Sequence, residues 1–327
     1  MLYVVFLAAA AVTVMAAVRL STYADVIGER TSLGGLLVGT FLLAGATSLP
    51  EVTTSLTAVF VDNPDIAVSN VFGSNLFNIF ILALMDVLYR RKQLLRSADP
   101  SQLKTAVLSL LLAGLMLTAI LFPTGIVLFG AGIEMYVLIL MYSAGMIYLT
   151  KTETHEAVEL ETEFHMHAVS LRRAKIGFAA AAVIIFASGS LLSITGDQIA
   201  ASTGISSSFV GTFFIAGATS LPELVTVLVA VQLANYNMAI GNILGSNVFN
   251  MLILIIIDFA FRGGAVLTAV HPVTIITAAS VLLLNTVVIG AVLSSRTKQQ
   301  ARFYALPSLI VLITYFALSY TIYTFSA

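Results

Sequence analysis

Two glutamates in this chain each follow a proline within the same eight-residue stretch. AGATSLPE occupies residues 44–51 and recurs letter for letter at 216–223. Because proline has no amide hydrogen, Pro50 and Pro222 should each kink a helix and leave the carbonyl four residues earlier without its usual partner. At membrane depth such carbonyls are tolerated where they line a cavity, and a cation is a suitable partner for them. The stretch therefore indicates cation binding.

The residues around each glutamate carry the oxygen atoms that hard cations prefer. Thr47 lies four residues before Glu51 and Ser48 lies three before it, so the three side chains can converge near one helical turn. The second copy repeats the arrangement with Thr219, Ser220 and Glu223. Such oxygens suit calcium, magnesium or sodium, whereas zinc or copper would call for histidine or cysteine, which these segments lack. Two carboxylates match the charge of one divalent ion.

A polar stripe follows each glutamate in the next apolar segment. The first stripe has the four-residue spacing of one helix face and consists of Asn70, Ser74 and Asn78, with Asn75 beside it. The second consists of Asn242, Ser246 and Asn250, with Asn247 beside it. Gly73 and Gly245 allow close backbone approach or another break in the helix. Serine and asparagine in such stripes also serve packing and interhelical hydrogen bonding, which leaves their role open.

The carboxylates separate into two groups by position. A carboxylate at the centre of a membrane helix costs about 2.5 kcal/mol or more, so a binding role is favoured for Glu51 and Glu223. Asp86 and Asp258 also correspond in the two copies but fall toward the ends of apolar segments. We expect these two to act as anchors or as part of a vestibule, where a carboxylate reaches water or a basic neighbour.

The composition requires a membrane to surround these residues. Of the 327 residues, 59% are hydrophobic and 9% are charged, and the mean hydropathy is +1.03, which excludes an ordinary soluble domain. We predict an all-α membrane protein with ten transmembrane helices and broken helices at its core. The predicted spans are 2–19, 33–60, 65–89, 104–122, 126–150, 175–196, 205–233, 238–261, 271–295 and 304–325. The first follows no basic leader, so we expect a retained span and not a signal peptide.

Basic residues fall almost entirely on one side of this topology. With ten spans, all of the 15 lysines and arginines except Arg262 lie in loops of the same side. The positive-inside rule makes that side cytoplasmic and both termini external. We therefore expect a multi-pass protein of the cell membrane.

The two copies belong to a longer internal repeat. Residues 39–82 and 211–254 align without a gap at an offset of 172, with 25 identities in 44 positions. The first unit contains five spans, an odd number, so the second must enter the membrane with opposite polarity. We predict two inverted five-helix repeats, 1–150 and 176–327, an architecture of transporters that bind substrate near the midplane.

A hydrophilic linker, 151–175, joins the predicted repeats on the cytoplasmic side. Two histidine–glutamate pairs in it have helical spacing, which makes a weak metal site conceivable: His155 with Glu159, and Glu163 with His167. A solvated charged linker is the favoured interpretation of so short a segment.

The duplicated sequences GTFLLAGATSLPE and GNILGSNVFN resemble the alpha repeats of the calcium/cation antiporter superfamily, and most closely the prokaryotic sodium/calcium exchangers. The resemblance covers essentially the whole chain. It implies a secondary antiporter, and no enzyme, that exchanges sodium for calcium by alternating access. Its partners would be calcium and sodium ions and the lipid bilayer, with no cofactor, no nucleic acid and no obligate protein partner.

The resemblance also implies a set of ion ligands. The calcium ligands would be the carboxylates of Glu51 and Glu223 and the backbone carbonyls of Thr47 and Thr219. Sodium sites would add the carbonyls of Ala44 and Ala216 and the hydroxyls of Ser48, Ser74, Ser220 and Ser246. Asn78 and Asn250 would line the middle of the site.

One departure from the family pattern leaves the coupling ion open. Many sodium/calcium exchangers carry an aspartate at the place of Asn250, and some have one at the place of Asn78, whereas this chain has amides at both. The main alternative is a proton-coupled calcium antiporter of the same fold, because a buried carboxylate can carry a proton. A passive cation channel and a non-transporting scaffold are further alternatives, which inverted repeats and paired intramembrane glutamates make unfavourable.

Overall fold

The computed structural model describes residues 1–30, 45–153, 170–295 and 304–326, and within these ranges the chain is mostly helical. The helices are α1 (Leu2–Arg30), α2 (Leu49–Phe60), α3 (Pro64–Leu88), α4 (Pro100–Leu121), α5 (Ile133–Glu153), α6 (Leu171–Thr203), α7 (Ser207–Phe209), α8 (Ala216–Thr219), α9 (Leu221–Gln232), α10 (Tyr236–Ala260), α11 (Val273–Ser295) and α12 (Leu306–Ser326). A π-helical stretch, Val210–Ile215, joins α7 to α8, and short 3-10 turns occupy Leu94–Ser97 and Val266–Thr268. Two antiparallel strands, β1 (Val127–Leu128) and β2 (Ala131–Gly132), form a hairpin.

Eight helices in the described ranges are long and apolar enough to cross a membrane. The bent pair Ser207–Thr219 and Leu221–Gln232 makes a ninth candidate span. The chain is therefore a multi-pass helical membrane protein. Part of the second predicted span, 33–60, lies outside the described residues, so ten helices in two inverted repeats stays a prediction. The linker histidines and glutamates lie outside the described residues as well.

The fifth predicted span, 126–150, is wrong at its start. The structure places β1 and β2 there and begins the helix only at Ile133. Gly125 and Gly130 have φ angles of 67° and 90°, a left-handed backbone that ends regular structure and that glycine adopts at least cost. Hydropathy alone does not detect this change, because the hairpin residues are as apolar as a span.

The first and sixth predicted spans, 2–19 and 175–196, are too short. The structure extends α1 to Arg30 and α6 over 33 residues. Gly204 ends α6 with a φ of 74°, and its amide bonds the Ala200 carbonyl at 3.0 Å. Both helices continue past their apolar segments into polar sequence, which a hydropathy window excludes.

These two long helices pack along each other and beside α2. The Thr13 hydroxyl donates to Ser188 at 2.7 Å, joining α1 to α6. The Thr57 and Ser190 hydroxyls lie 2.9 Å apart and join α2 to α6. A Cβ added at Gly189 would lie 3.1 Å from the Thr53 side chain, so a residue without a side chain allows α6 to approach α2 this closely.

Most residues of helix α3 are buried, and the helix approaches the π-helical stretch closely. A Cβ added at Gly73 would lie 2.5 Å from the Thr212 carbonyl oxygen and 2.6 Å from its Cα. A Cβ added at Gly211 would lie 2.9 Å from the Ile66 carbonyl oxygen. Because Gly73 and Gly211 have no side chain, the backbones of the two elements can approach this closely.

Asp86 and Asp258 each bind the segment that follows their own helix and a second part of the chain. Both are fully buried, contrary to the expectation that they reach water. Asp86 accepts hydrogen bonds from the Leu95 amide and from the hydroxyls of Ser308 and Tyr304. Asp258 accepts them from the Gly132 and Val266 amides, at 2.6 Å each. Amides and hydroxyls therefore satisfy the two carboxylates, and none of these bonds comes from a basic side chain.

Candidate cation-binding site

Each duplicated proline begins a new helix immediately after a break. Ser48 has φ and ψ of −89° and 6°, and Ser220 has −89° and 5°, so the backbone leaves helical geometry in the same way in both copies. The break at Ser220 bends the second copy by 43°. Pro50 and Pro222 occupy the second positions of α2 and α9, where a proline ring is tolerated because its amide would have no helical partner.

The breaks place both glutamates in the first turns of their new helices. Glu51 and Glu223 are the third residues of α2 and α9. The helix dipole makes this position favourable for a negative charge. The two side chains are 0% and 1% exposed, so this local field substitutes in part for the water that they have lost.

The two carboxylates lie close together, and the Glu51 carboxylate also binds a residue of the opposite copy. The Ser220 hydroxyl donates to Glu51 Oε1 at 3.1 Å. The Glu223 carboxylate lies close to that of Glu51. No basic side chain among the described residues pairs with either glutamate. Two buried acids thus adjoin each other without a protein cation.

Several oxygens around these acids accept no hydrogen bond from the described residues. They are Glu51 Oε2, both carboxylate oxygens of Glu223, the Ser48 and Ser74 hydroxyls, and the side-chain oxygens of Asn78 and Asn250. Buried polar atoms in proteins almost always have a partner, so this concentration requires an explanation. Each of these atoms is an oxygen of the kind that hard cations bind.

Four asparagines connect α3 to α10 across the site. The Asn75 amide group donates to the Asn247 carbonyl at 3.2 Å, and that of Asn247 donates to the Asn75 carbonyl at 3.4 Å. Asn78 donates to Asn247 Oδ1 and Asn250 donates to Asn75 Oδ1, both at 2.9 Å. Asn75 corresponds to Asn247 and Asn78 to Asn250 in the repeat, so each of these bonds has an equivalent in which the two copies trade places. The sequence predicted that these residues line the site but not that they bind one another.

Asn70 and Asn242 differ although they correspond in the repeat. The Asn70 amide donates to the Thr54 and Ser55 hydroxyls at 2.9 Å each and so ties α3 to α2. Asn242 is half-buried, and its amide nitrogen has no partner among the described residues. The sequence analysis did not identify Thr54 and Ser55 as partners of Asn70. A signal was present, because Ser55 is a polar residue where the second copy has a valine.

The remaining predicted ligands have mixed surroundings. Thr47 Oγ1 lies 3.5 Å from Ser246 Oγ, so the two copies also meet here. The Ala216 carbonyl already accepts the Ser220 amide at 3.0 Å and the Thr219 hydroxyl at 3.3 Å. Sodium binding by this carbonyl would therefore require at least one of those bonds to open. Ala44 lies outside the described residues.

The composition of the site restricts which metals fit. In the described ranges, no group of three or more histidine, cysteine, aspartate or glutamate side chains lies close enough to hold a metal ion. The charge at the site comes from two carboxylates, and the other available atoms are neutral oxygens. This donor set suits calcium or sodium and not a transition metal.

Comparison with known proteins gives a consistent result. A family model described as sodium/calcium exchanger protein matches residues 1–149 and 174–324. The putative antiporter CaxA of Alkalimonas amylolytica is 30% identical over 240 residues, which cover 70% of this chain and 71% of that protein. Inner membrane protein YrbG of Escherichia coli strain K12 is 25% identical over 293 residues, covering 88% of this chain and 87% of that one.

Solved structures share the fold at low sequence identity. The H+/Ca2+ exchanger CAX superposes with a TM-score of 0.69 at 16% identity, covering 98% of this chain and 88% of that chain. The sodium-calcium exchanger NCX_Mj superposes with a TM-score of 0.59 at 20% identity, covering 97% of this chain and 98% of that chain. Identities this low establish the fold alone.

Proposed function

Because the chain belongs to the sodium/calcium exchanger protein family, within the calcium/cation antiporter superfamily, we propose that it exchanges sodium for calcium across the membrane by alternating access. The observation that carries this proposal is the pair of adjoining buried carboxylates, Glu51 and Glu223, without a basic partner among the described residues. One calcium ion would balance their two charges, with Thr47 and Thr219 contributing backbone carbonyls.

Competition for this one site would make the exchange obligatory. Two buried negative charges are costly to carry through a dry barrier, and two or more positive charges offset that cost. Calcium or several sodium ions would therefore permit the change of access, whereas the empty site would oppose it. Transport of one ion then requires return with the other.

Neutral oxygens support sodium as the coupling ion. A hard cation takes neutral oxygens as ligands besides carboxylates. The hydroxyls of Ser48 and Ser74 and the side-chain oxygens of Asn78 and Asn250 have no partner among the described residues and are available for this role. Ser220 and Ser246 would complete the set. An amide supplies a carbonyl oxygen, so the absence of aspartates at positions 78 and 250 does not prevent sodium binding.

The inverted repeats account for access from both sides. We propose that 1–150 and 176–327 cross the membrane with opposite polarity and that both termini lie outside. Each half would then contribute one glutamate and one helix break, at equal depth. The asparagine hydrogen bonds between α3 and α10 support this arrangement, because they form two pairs that are equivalent under the repeat.

Calcium flux in proteoliposomes tests the function and its coupling ion together. Calcium-loaded vesicles containing the purified protein are given an external sodium gradient, or instead a pH gradient at equal sodium. Sodium-driven calcium efflux with no pH-driven efflux is the expected result. Efflux driven by the pH gradient alone would establish the proton-coupled alternative, and efflux without any counter-ion would establish a channel.

A further inference from the structure

The asparagine pair Asn75 and Asn247 has a role that the ion ligands themselves do not explain. Both side chains are fully buried, and each crosses from its own copy to the opposite one. We propose that they are positioning residues, which hold the Asn78 and Asn250 side chains with their oxygens toward the ion. This inference rests on the proposed function, because it assigns these residues to the same cation site.

The chemistry of the network fixes the orientation of every amide in it. A backbone carbonyl can only accept, so the group that Asn75 presents to the Asn247 carbonyl must be its NH2. The Asn75 side-chain oxygen then faces Asn250 and can only accept from it. Asn250 must therefore present its own NH2 to Asn75, at 2.9 Å. By the same argument, Asn247 fixes the orientation of Asn78.

The consequence appears at the side-chain oxygens of Asn78 and Asn250. Because their NH2 groups are bound, the side-chain oxygens of Asn78 and Asn250 are left without a donor among the described residues. These are the ends suited to a cation. A reversed amide would direct two N–H groups at the positive ion and would repel it. Asn75 and Asn247 thus determine whether a neutral side chain attracts or repels the ion.

The crossing pattern gives this proposal a specific signature. Asn75 orients Asn250, which belongs to the opposite copy, and Asn247 orients Asn78. Asn75 does not bind the Asn78 side chain, and Asn247 does not bind that of Asn250. Energetic coupling should therefore follow the crossed pairs and not the pairs within a copy. A residue with only a packing role would show no such preference.

Double-mutant cycles measure this coupling in the full-length protein. Purified variants are titrated with sodium, for which Asn78 and Asn250 are proposed ligands, and thermal stabilisation gives the half-saturating concentration. Asn75→Ala and Asn250→Ala should each raise it about tenfold, as is usual when the support of a metal ligand is removed. The double variant should match Asn250→Ala, because no amide remains to be oriented. Asn247→Ala with Asn78→Ala should behave likewise.

The pairs within a copy serve as the matched controls. Asn75→Ala with Asn78→Ala, and Asn247→Ala with Asn250→Ala, should combine multiplicatively. Multiplicative effects in the crossed pairs too, or an unchanged sodium affinity in Asn75→Ala, would overturn the positioning role. A wild-type protein without any sodium response would instead overturn the proposed function, and this inference with it.

A second measurement requires no variant and covers the case in which alanine prevents folding. An experimental structure of the wild-type protein with bound calcium or sodium should place Oδ1 of Asn78 and Asn250 on the ion side and both NH2 groups on the partner asparagines. An NH2 group facing the ion would overturn the proposal.

Leucine at position 75 or 247, similar in volume and without hydrogen-bonding atoms, can replace alanine in the cycles.

Discussion

The Ser220 hydroxyl donates a hydrogen bond to Glu51 across the boundary between the two copies of the repeat, at 3.1 Å from Oε1. A hydroxyl directed at a buried carboxylate is a charge-assisted contact, worth about 1.5–3 kcal/mol. This bond makes the acid of one copy dependent on the broken helix of the other. Residues of both copies therefore meet at Glu51.

Ser220→Ala should weaken sodium binding, because it removes both this bond and a proposed sodium ligand. We expect the sodium concentration for half-maximal calcium efflux to rise about tenfold, the lower end of what such a bond contributes. Ser220→Thr keeps the hydroxyl and should remain close to wild type. The sodium dependence of efflux from proteoliposomes provides the comparison, and equal sodium dependence in Ser220→Ala and wild type would refute the assignment.

Gly73→Ala should destabilise the protein by about 1–3 kcal/mol, the usual cost of overpacking. The added Cβ would lie 2.5 Å from the Thr212 carbonyl oxygen, so two backbones would have to separate. Gly114→Ala is the control, because its Cβ would meet Leu282 at an ordinary 3.7 Å. Thermal unfolding in detergent should show a lower melting temperature for Gly73→Ala only. Equal melting temperatures for the two variants would contradict the close approach.

Asn63→Ala should cost more stability than Asn235→Ala, although both remove a helix N-cap. Asn63 caps α3 and also donates to Asp197 at 2.7 Å and to Ser207 at 3.0 Å. Among the described residues, the Asn235 side chain bonds only the Met238 amide. We expect losses of about 2–3 and about 1 kcal/mol respectively. Thermal unfolding distinguishes the two, and a larger loss in Asn235→Ala would be inconsistent with this account.

Asp258→Ala should lower stability without changing ion affinity. The substitution leaves the Gly132 and Val266 amides without their acceptor, and each unsatisfied buried group costs about 1–3 kcal/mol. Thermal unfolding with and without calcium measures both effects. A lower melting temperature with an unchanged half-saturating calcium concentration is expected, whereas a large loss of calcium affinity would assign Asp258 to the ion path.

The residues of the candidate site could be selected from the sequence because the repeat is explicit. Two identical stretches placed Glu51 and Glu223 in equivalent positions, and helical spacing placed the serines and asparagines on faces near them. The pairing of Asn75 with Asn247 was not predictable. It depends on the distance and angle between α3 and α10, and no spacing within one helix contains that information.

The fold was predictable wherever hydropathy reports membrane burial. The end of α6 at Gly204 and the hairpin before α5 were missed for opposite reasons. Helix α6 continues into polar sequence, whereas the hairpin is apolar but lies where glycines adopt left-handed backbone. Hydropathy measures the transfer of side chains and does not detect backbone geometry.

Calcium transport by Glu51→Gln and Glu223→Gln tests the central claim most directly. Glutamine keeps the size of the side chain and removes its charge, so either variant should fold yet lack one of the two charges that balance calcium. Sodium-driven calcium flux in proteoliposomes should be abolished in both variants. Glu134→Gln, which changes a partly exposed glutamate away from the site, should transport normally. Calcium exchange at the wild-type rate in either the Glu51 or the Glu223 variant would contradict the account.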